Sequence, residues 1–216
     1  MNCWPWKTTY QQTGWGTREN WYRTEVRALE HRYIPIEKME TRADGGELHI
    51  SGYFAVFNTI YELWPGATES IAPGAFAEAL DGDIRALWNH NPDIVMGRTT
   101  AWTATAREDS YGLWCDILIN QKDTDSMNGY ARTERGDVTG ASFGFEIAEQ
   151  DVEYRDDGTV HWTIKKINPL YEFSPCTFPA YQETAISARK HDLEEIKRKR
   201  TEAWKHRALE KLHGAQ

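Results

Sequence analysis

Between Val138 and Ile147 the chain alternates by parity: Ala141, Phe143, Phe145 and Ile147 fall on one side, and Gly140, Ser142 and Gly144 on the other. Such period-two alternation marks a strand with one buried face. The second face is bare backbone flanking a single hydroxyl, which suits close approach by another main chain or by a substrate. A barrel strand whose small residues make room for a neighbouring aromatic ring would leave the same pattern. The stretch alone favours this second reading, and the functional one depends on the rest of the chain.

The rest of the chain supplies the frame. The regular body begins near Ile36. Gly45-Gly46 is a turn signal, and Leu48–Phe57 reads as a strong strand. Asn58–Thr68 reads as a loop, and Pro73 opens a short helix over Gly74–Leu80. Strands are expected over Ile84–Asn89, Thr99–Ala106 and Gly112–Ile119, then a helix from Asp123 to Glu134 with Asp123 as its cap. Asp156-Asp157-Gly158 turns the Ser142 strand into a second one, Thr159–Ile167, with Leu170–Ser174 extended beyond it. The count is about seven strands and two short helices. That pattern predicts an α+β domain, mainly an antiparallel β-barrel with a few helices around it.

The two ends read differently. Residues 1–26 carry Trp4, Trp6, Trp15 and Trp21 among polar residues without a steady period, an aromatic-rich arm. Glu19–Tyr33 could form a short helix before Pro35 interrupts it. From His191 to about Leu212 a charged helix is expected, with a thin apolar stripe of Leu193, Ile196, Trp204, Ala208 and Leu212. Three units result: the arm 1–26, a body over 27–189, and a helical tail over 190–216.

A length of 216 residues suits one well-filled domain with such appendages, or two small ones. The net charge of −8 argues against a general nucleic-acid binder, whose footprint would be basic. Residues 189–216 hold nine Lys or Arg against five Asp or Glu, so the remainder of the chain is at −12. Cys3, Cys115 and Cys176 are too few and too scattered for a disulfide framework or a zinc site. With no signal-peptide core and no apolar run of membrane-spanning length, a reducing, cytosolic setting without membrane contact is expected.

Gly140-Ala-Ser-Phe-Gly144 spells the Gly-x-Ser-x-Gly elbow, but that motif needs a strand, a sharp turn and a helix, and here the strand pattern continues. An α/β-hydrolase is excluded. A serine nucleophile still needs a base and a group to orient that base, in any chain order. Of seven histidines, His90 is best placed, at the end of a strand between Asn89 and Asn91. For the orienting group, Glu172 alternates with Leu170 and Ser174 in an apolar segment, where a carboxylate needs a partner. Asp116 is its competitor, and a second His is possible. No Cys or second His lies at ligand spacing around Asn89-His90-Asn91, so neither a metal nor any other cofactor is expected.

Five blocks in order carry a resemblance: Gly52-Tyr-Phe-Ala-Val-Phe-Asn58, Glu69-Ser-Ile-Ala-Pro-Gly-Ala-Phe76, Leu87-Trp-Asn-His-Asn91, Gly140-Ala-Ser-Phe-Gly-Phe145 and Glu172-Phe-Ser-Pro-Cys-Thr-Phe-Pro-Ala-Tyr181. Over roughly residues 27–189 they resemble the prohead proteases of tailed phages, which are similar in fold to herpesvirus assemblin. The resemblance implies a serine endopeptidase of capsid maturation, with the family's histidine at His90 and its serine at Ser142. Glu172, inside a matching block, is then the third member. It implies as partners the major capsid protein and its scaffold region, and self-association as a dimer. It also implies a place in the host cytoplasm inside the assembling prohead, and a tail removed by self-cleavage near Ala188-Arg189-Lys190. A non-enzymatic capsid scaffold keeping the protease fold is the alternative. An intact His90/Ser142 pair favours the enzyme, since a pure scaffold needs neither.

Overall fold

The computed structural model describes residues 30–35, 39–155 and 157–178, together with 189–190, 193–194, 197–198, 201–202 and 205. The aromatic arm lies outside the described residues, as does most of the tail, whose described positions are helical. No helix among the described residues is long and apolar enough to cross a membrane.

Eleven strands are built from the described residues: β1 Glu30–Pro35, β2 Glu40–Asp44, β3 Glu47–Val56, β4 Tyr61–Trp64, β5 Ala67–Ile71, β6 Arg85–Trp88, β7 Asn91–Arg98, β8 Ala104–Glu108, β9 Gly112–Leu118, β10 Gly140–Tyr154 and β11 Val160–Cys176. Helix α1, Thr124–Glu134, joins β9 to β10, and the Asp123 carboxylate caps it by accepting from the Ser126 N–H at 2.9 Å. The architecture is α+β and mostly β.

The expected barrel is corrected. Among the described residues the strands form two sheets that do not close on each other: four strands in the order β2-β3-β9-β8, and seven built on β1-β10-β11-β5-β4 with β6 and β7. Alternation reports which face a strand buries, and it is silent about which edges bond, so strand count could not fix closure. Strand β11 is the hinge of the larger sheet. Its first residues, Val160–Ile164, pair with β5 in parallel, and its last ones, Glu172 and Phe173, pair in parallel with β6. Strand β10 lies antiparallel on its other side, with β1 beyond.

Four local expectations also change, the first being the strand over Thr99–Ala106, where Thr99–Ala101 is a 3₁₀ turn and the strand begins at Ala104. Glu30–Pro35 is a strand where a helix was expected to end, and Asn58–Thr68 holds β4 and the start of β5. Gly74–Leu80 is a run of turns. Gly74 takes φ +88°, and the N–H groups of Gly74 and Phe76 bond the Glu108 carboxylate at 2.6 and 2.9 Å, so they do not seed a helix.

The core lies between the sheets. The Phe54 ring of β3 meets Phe173 of β11 edge to face at 5.2 Å, and Phe143 stacks on Phe145 at 4.9 Å. With Phe76 also buried on Phe143, this fixes the inner face of β10. Ser142 and Gly144 are thereby committed to the opposite face.

Candidate active site

Cross-strand register assembles the site. On β10 Gly144 lies between His31 of β1 and Glu172 of β11, and Ser142 lies between Tyr33 and Ser174. Residues paired across strands share a face, so His31, Ser142, Glu172 and Ser174 stand together on the side away from the aromatic core.

His90 reaches this face from a hairpin. Asn89 and His90 are the two residues between β6 and β7, both at positive φ, 51° and 60°. A two-residue hairpin demands this conformation and normally fills it with Asn-Gly, so a histidine there stores backbone strain. The tip is bolted to the end of β11. The Asn89 N–H donates to the Pro175 carbonyl at 3.1 Å, the Thr177 N–H donates to Asn89 Oδ1 at 2.8 Å, and the His90 N–H donates to Ser174 Oγ at 3.3 Å. Its ring lands on Glu172, with Nδ1 2.7 Å from Oε1. The second carboxylate oxygen accepts from Ser174 Oγ.

Burial pushes the Glu172 carboxyl up, but the imidazoles of His31 and His90 and the Ser174 hydroxyl outweigh it and hold the group below its ordinary range. Glu172 is therefore a carboxylate at neutral pH. An imidazole whose Nδ1–H is held by a carboxylate presents Nε2 as a proton acceptor. His90 Nε2 and Ser142 Oγ are both buried and have no hydrogen-bond partner among the described residues. Buried polar atoms left unpaired cost about 1–3 kcal/mol each, and functional sites are where such groups persist.

The structure thus brings His90 and Glu172 into contact and sets Ser142 on the same face without bonding it to His90. Asp116, the other candidate acid, belongs to the smaller sheet, where it meets His49 Nδ1 at 2.8 Å and Arg42 at 3.2 Å. His31 was passed over in the sequence. Its Nδ1 lies 3.4 Å from Glu172 Oε1, and its ring meets that of His90 edge-on at 4.3 Å. No local period in Glu30–Pro35 could have found it, because its place is set by pairing with β10. Ser174 was visible through its parity with Glu172. The Cys176 thiol is a poor rival nucleophile, because burial, then the Glu172 charge, push its ionisation up.

Gly144 explains the second glycine of the stretch. A Cβ there would lie 2.7 Å from Glu172 Oε1 and 3.0 Å from His31 Cε1. Both are side-chain atoms that can swing aside, so Gly144→Ala should fold, yet it should displace Glu172 from His90. The expected result is a Ser142 reactivity lowered about 100-fold with the melting temperature nearly kept, measured by fluorophosphonate labelling and calorimetry.

A profile of the caudovirus prohead serine protease family matches residues 35–199. The prohead protease of Enterobacteria phage HK97 is similar at 31% identity over 151 residues, covering 68% of this chain and 62% of the phage protein. The match thus spans less than two thirds of that relative's length. Among solved structures, the bacteriophage T4 capsid assembly protease is similar at 9% identity over 68% of this chain and 94% of its own. Its TM-score of 0.36 is too low to carry an argument.

Proposed function

The chain belongs to the caudovirus prohead serine protease family, and we propose that it acts there as a serine endopeptidase inside the assembling capsid. Ser142 Oγ attacks the peptide carbonyl while His90 Nε2 takes its proton. His90 then gives that proton to the leaving amine, and water repeats the cycle on the acyl-enzyme. Glu172 holds His90 Nδ1–H and stabilises the imidazolium. The observation that carries this reading is the 2.7 Å contact of His90 with Glu172, beside a buried Ser142 hydroxyl on the same face.

The substrates on this reading are the major capsid protein, at its scaffold region, and the chain itself, with self-association as a dimer in the host cytoplasm. The body then runs over 27–189, between the aromatic arm 1–26 and a tail from residue 190 that carries the enzyme into the prohead. Arg189 is buried against Glu69, so self-cleavage falls on its C-terminal side.

Co-expression with the major capsid protein tests the function. Ser142→Ala and His90→Ala should each leave the capsid protein at full length, whereas the unaltered chain shortens it. A chain ending at Lys190 should still cleave in solution but be depleted from purified proheads. Undiminished processing by Ser142→Ala would end the enzyme reading.

A further inference from the structure

We propose that His31, His90 and Glu172 form a binding site for a zinc ion that switches the enzyme off. The binding rests on geometry alone, and its inhibitory consequence rests on the protease reading above. One donor atom from each of the three residues lies within 4.8 Å of the other two. The donors come from three separate elements: β1, the β6–β7 turn and β11. Each element is fixed by strand pairing or by the bonds of the hairpin tip.

The distances suit a tetrahedral ion. Ligands about 2.0–2.2 Å from zinc lie roughly 3.4 Å from one another. His31 Nδ1 already stands 3.4 Å from Glu172 Oε1. His90 Nδ1, at 2.7 Å from the same oxygen, needs to withdraw by less than about 1 Å. The proposed proteolysis gives His31 no task, and its Nδ1 faces the carboxylate oxygen that His90 Nδ1 also faces. Two imidazoles and one carboxylate favour zinc over magnesium or calcium, which prefer all-oxygen shells. Three protein ligands leave a fourth position for water.

The consequence follows from the tautomer. Zinc takes the Nδ1 lone pair of His90, and the single ring proton, which that nitrogen shared with Glu172, passes by way of solvent to Nε2, with no net proton released from the ring. An imidazole bound to metal through Nδ1 keeps its proton on Nε2. That nitrogen then has no lone pair to accept the Ser142 proton, and Glu172 no longer orients the ring.

The test is calorimetric titration of zinc chloride into the full chain bearing Ser142→Ala, near neutral pH, with magnesium chloride as comparison. Saturable uptake of zinc and none of magnesium is expected. His31→Gln and Glu172→Gln, each added to that chain, should weaken zinc at least about tenfold. Two substitutions guard against one of them failing to fold. With the unaltered chain, zinc should stop cleavage reversibly, and His31→Gln should raise the zinc required by the same factor. No saturable uptake, or affinity unchanged in both variants, overturns the site. Zinc uptake as expected, in a chain that cleaves nothing with or without zinc, leaves the site standing and counts against the protease reading.

Discussion

Glu172→Gln should lower kcat by about 10³–10⁴-fold while leaving KM nearly unchanged. The carboxylate accepts twice, from His90 Nδ1 on one oxygen and from Ser174 Oγ on the other. A carboxamide offers one acceptor and one donor. With its oxygen toward His90, it keeps the tautomer but loses the charge that steadies the imidazolium. With its NH₂ toward His90, it forces the ring proton onto Nε2, and the base is lost. The pH dependence has a definite sign. The Glu172 carboxyl is held below its ordinary value of 4.5, so its ionised form contributes stability above that pH, and the contribution fades as pH falls through the lowered value. Denaturant titrations should show this acid-labile part in the unaltered chain and not in Glu172→Gln.

The second large effect is on folding. Glu69 is fully buried and receives two buried guanidiniums, from Arg32 on β1 and from Arg189. Burial pushes its carboxyl up, but the charges and hydrogen bonds of the two arginines prevail and hold it at about 2. A carboxyl held near 2 against an ordinary 4.5 carries about 3 kcal/mol at neutral pH, lost as pH falls from 4.5 toward 2. Glu69→Gln should therefore cost about 3–5 kcal/mol, because it leaves two buried cations without their anion. Arg189→Ala should cost less, since Arg32 still answers the Glu69 charge. It also strips a guanidinium stacked 5.2 Å above the Trp162 ring. Guanidinium unfolding midpoints of the two variants check this order. A chain ending at residue 188 should resemble Arg189→Ala, and one ending at Lys190 should not.

These two networks mark where the sequence was legible and where it was not. The alternation around Ser142 was readable because Phe143 and Phe145 bury one face, and that same period placed the hydroxyl opposite. Asp123 was readable as a cap because capping is local. Glu172 could be picked out because a carboxylate in an apolar segment needs a partner, and the family resemblance paired it with His90. Strand β1 was hidden because its buried position is a charged one: Arg32 is buried against Glu69, 37 positions away, and over the Phe145 ring, so Glu30–Pro35 lacks a clear apolar alternation. With β1 unread, His31 could not be brought to the site. Arg189 reaches Glu69 across 120 positions, so no local pattern showed that the last residue of the expected body is anchored in it. Closure of the sheets was beyond reach for the same reason. It depends on pairings between distant edges, and no periodicity encodes them.

The central claim is that Ser142 is a nucleophile activated by His90. A fluorophosphonate forms a phosphorus–oxygen bond with an activated serine and expels fluoride, and the adduct can be located by peptide mass spectrometry. The adduct should map to Ser142 in the unaltered chain and be absent from His90→Ala, while Asp116→Asn should still be labelled. An adduct on another residue, or equal labelling of Ser142 without His90, would contradict the account.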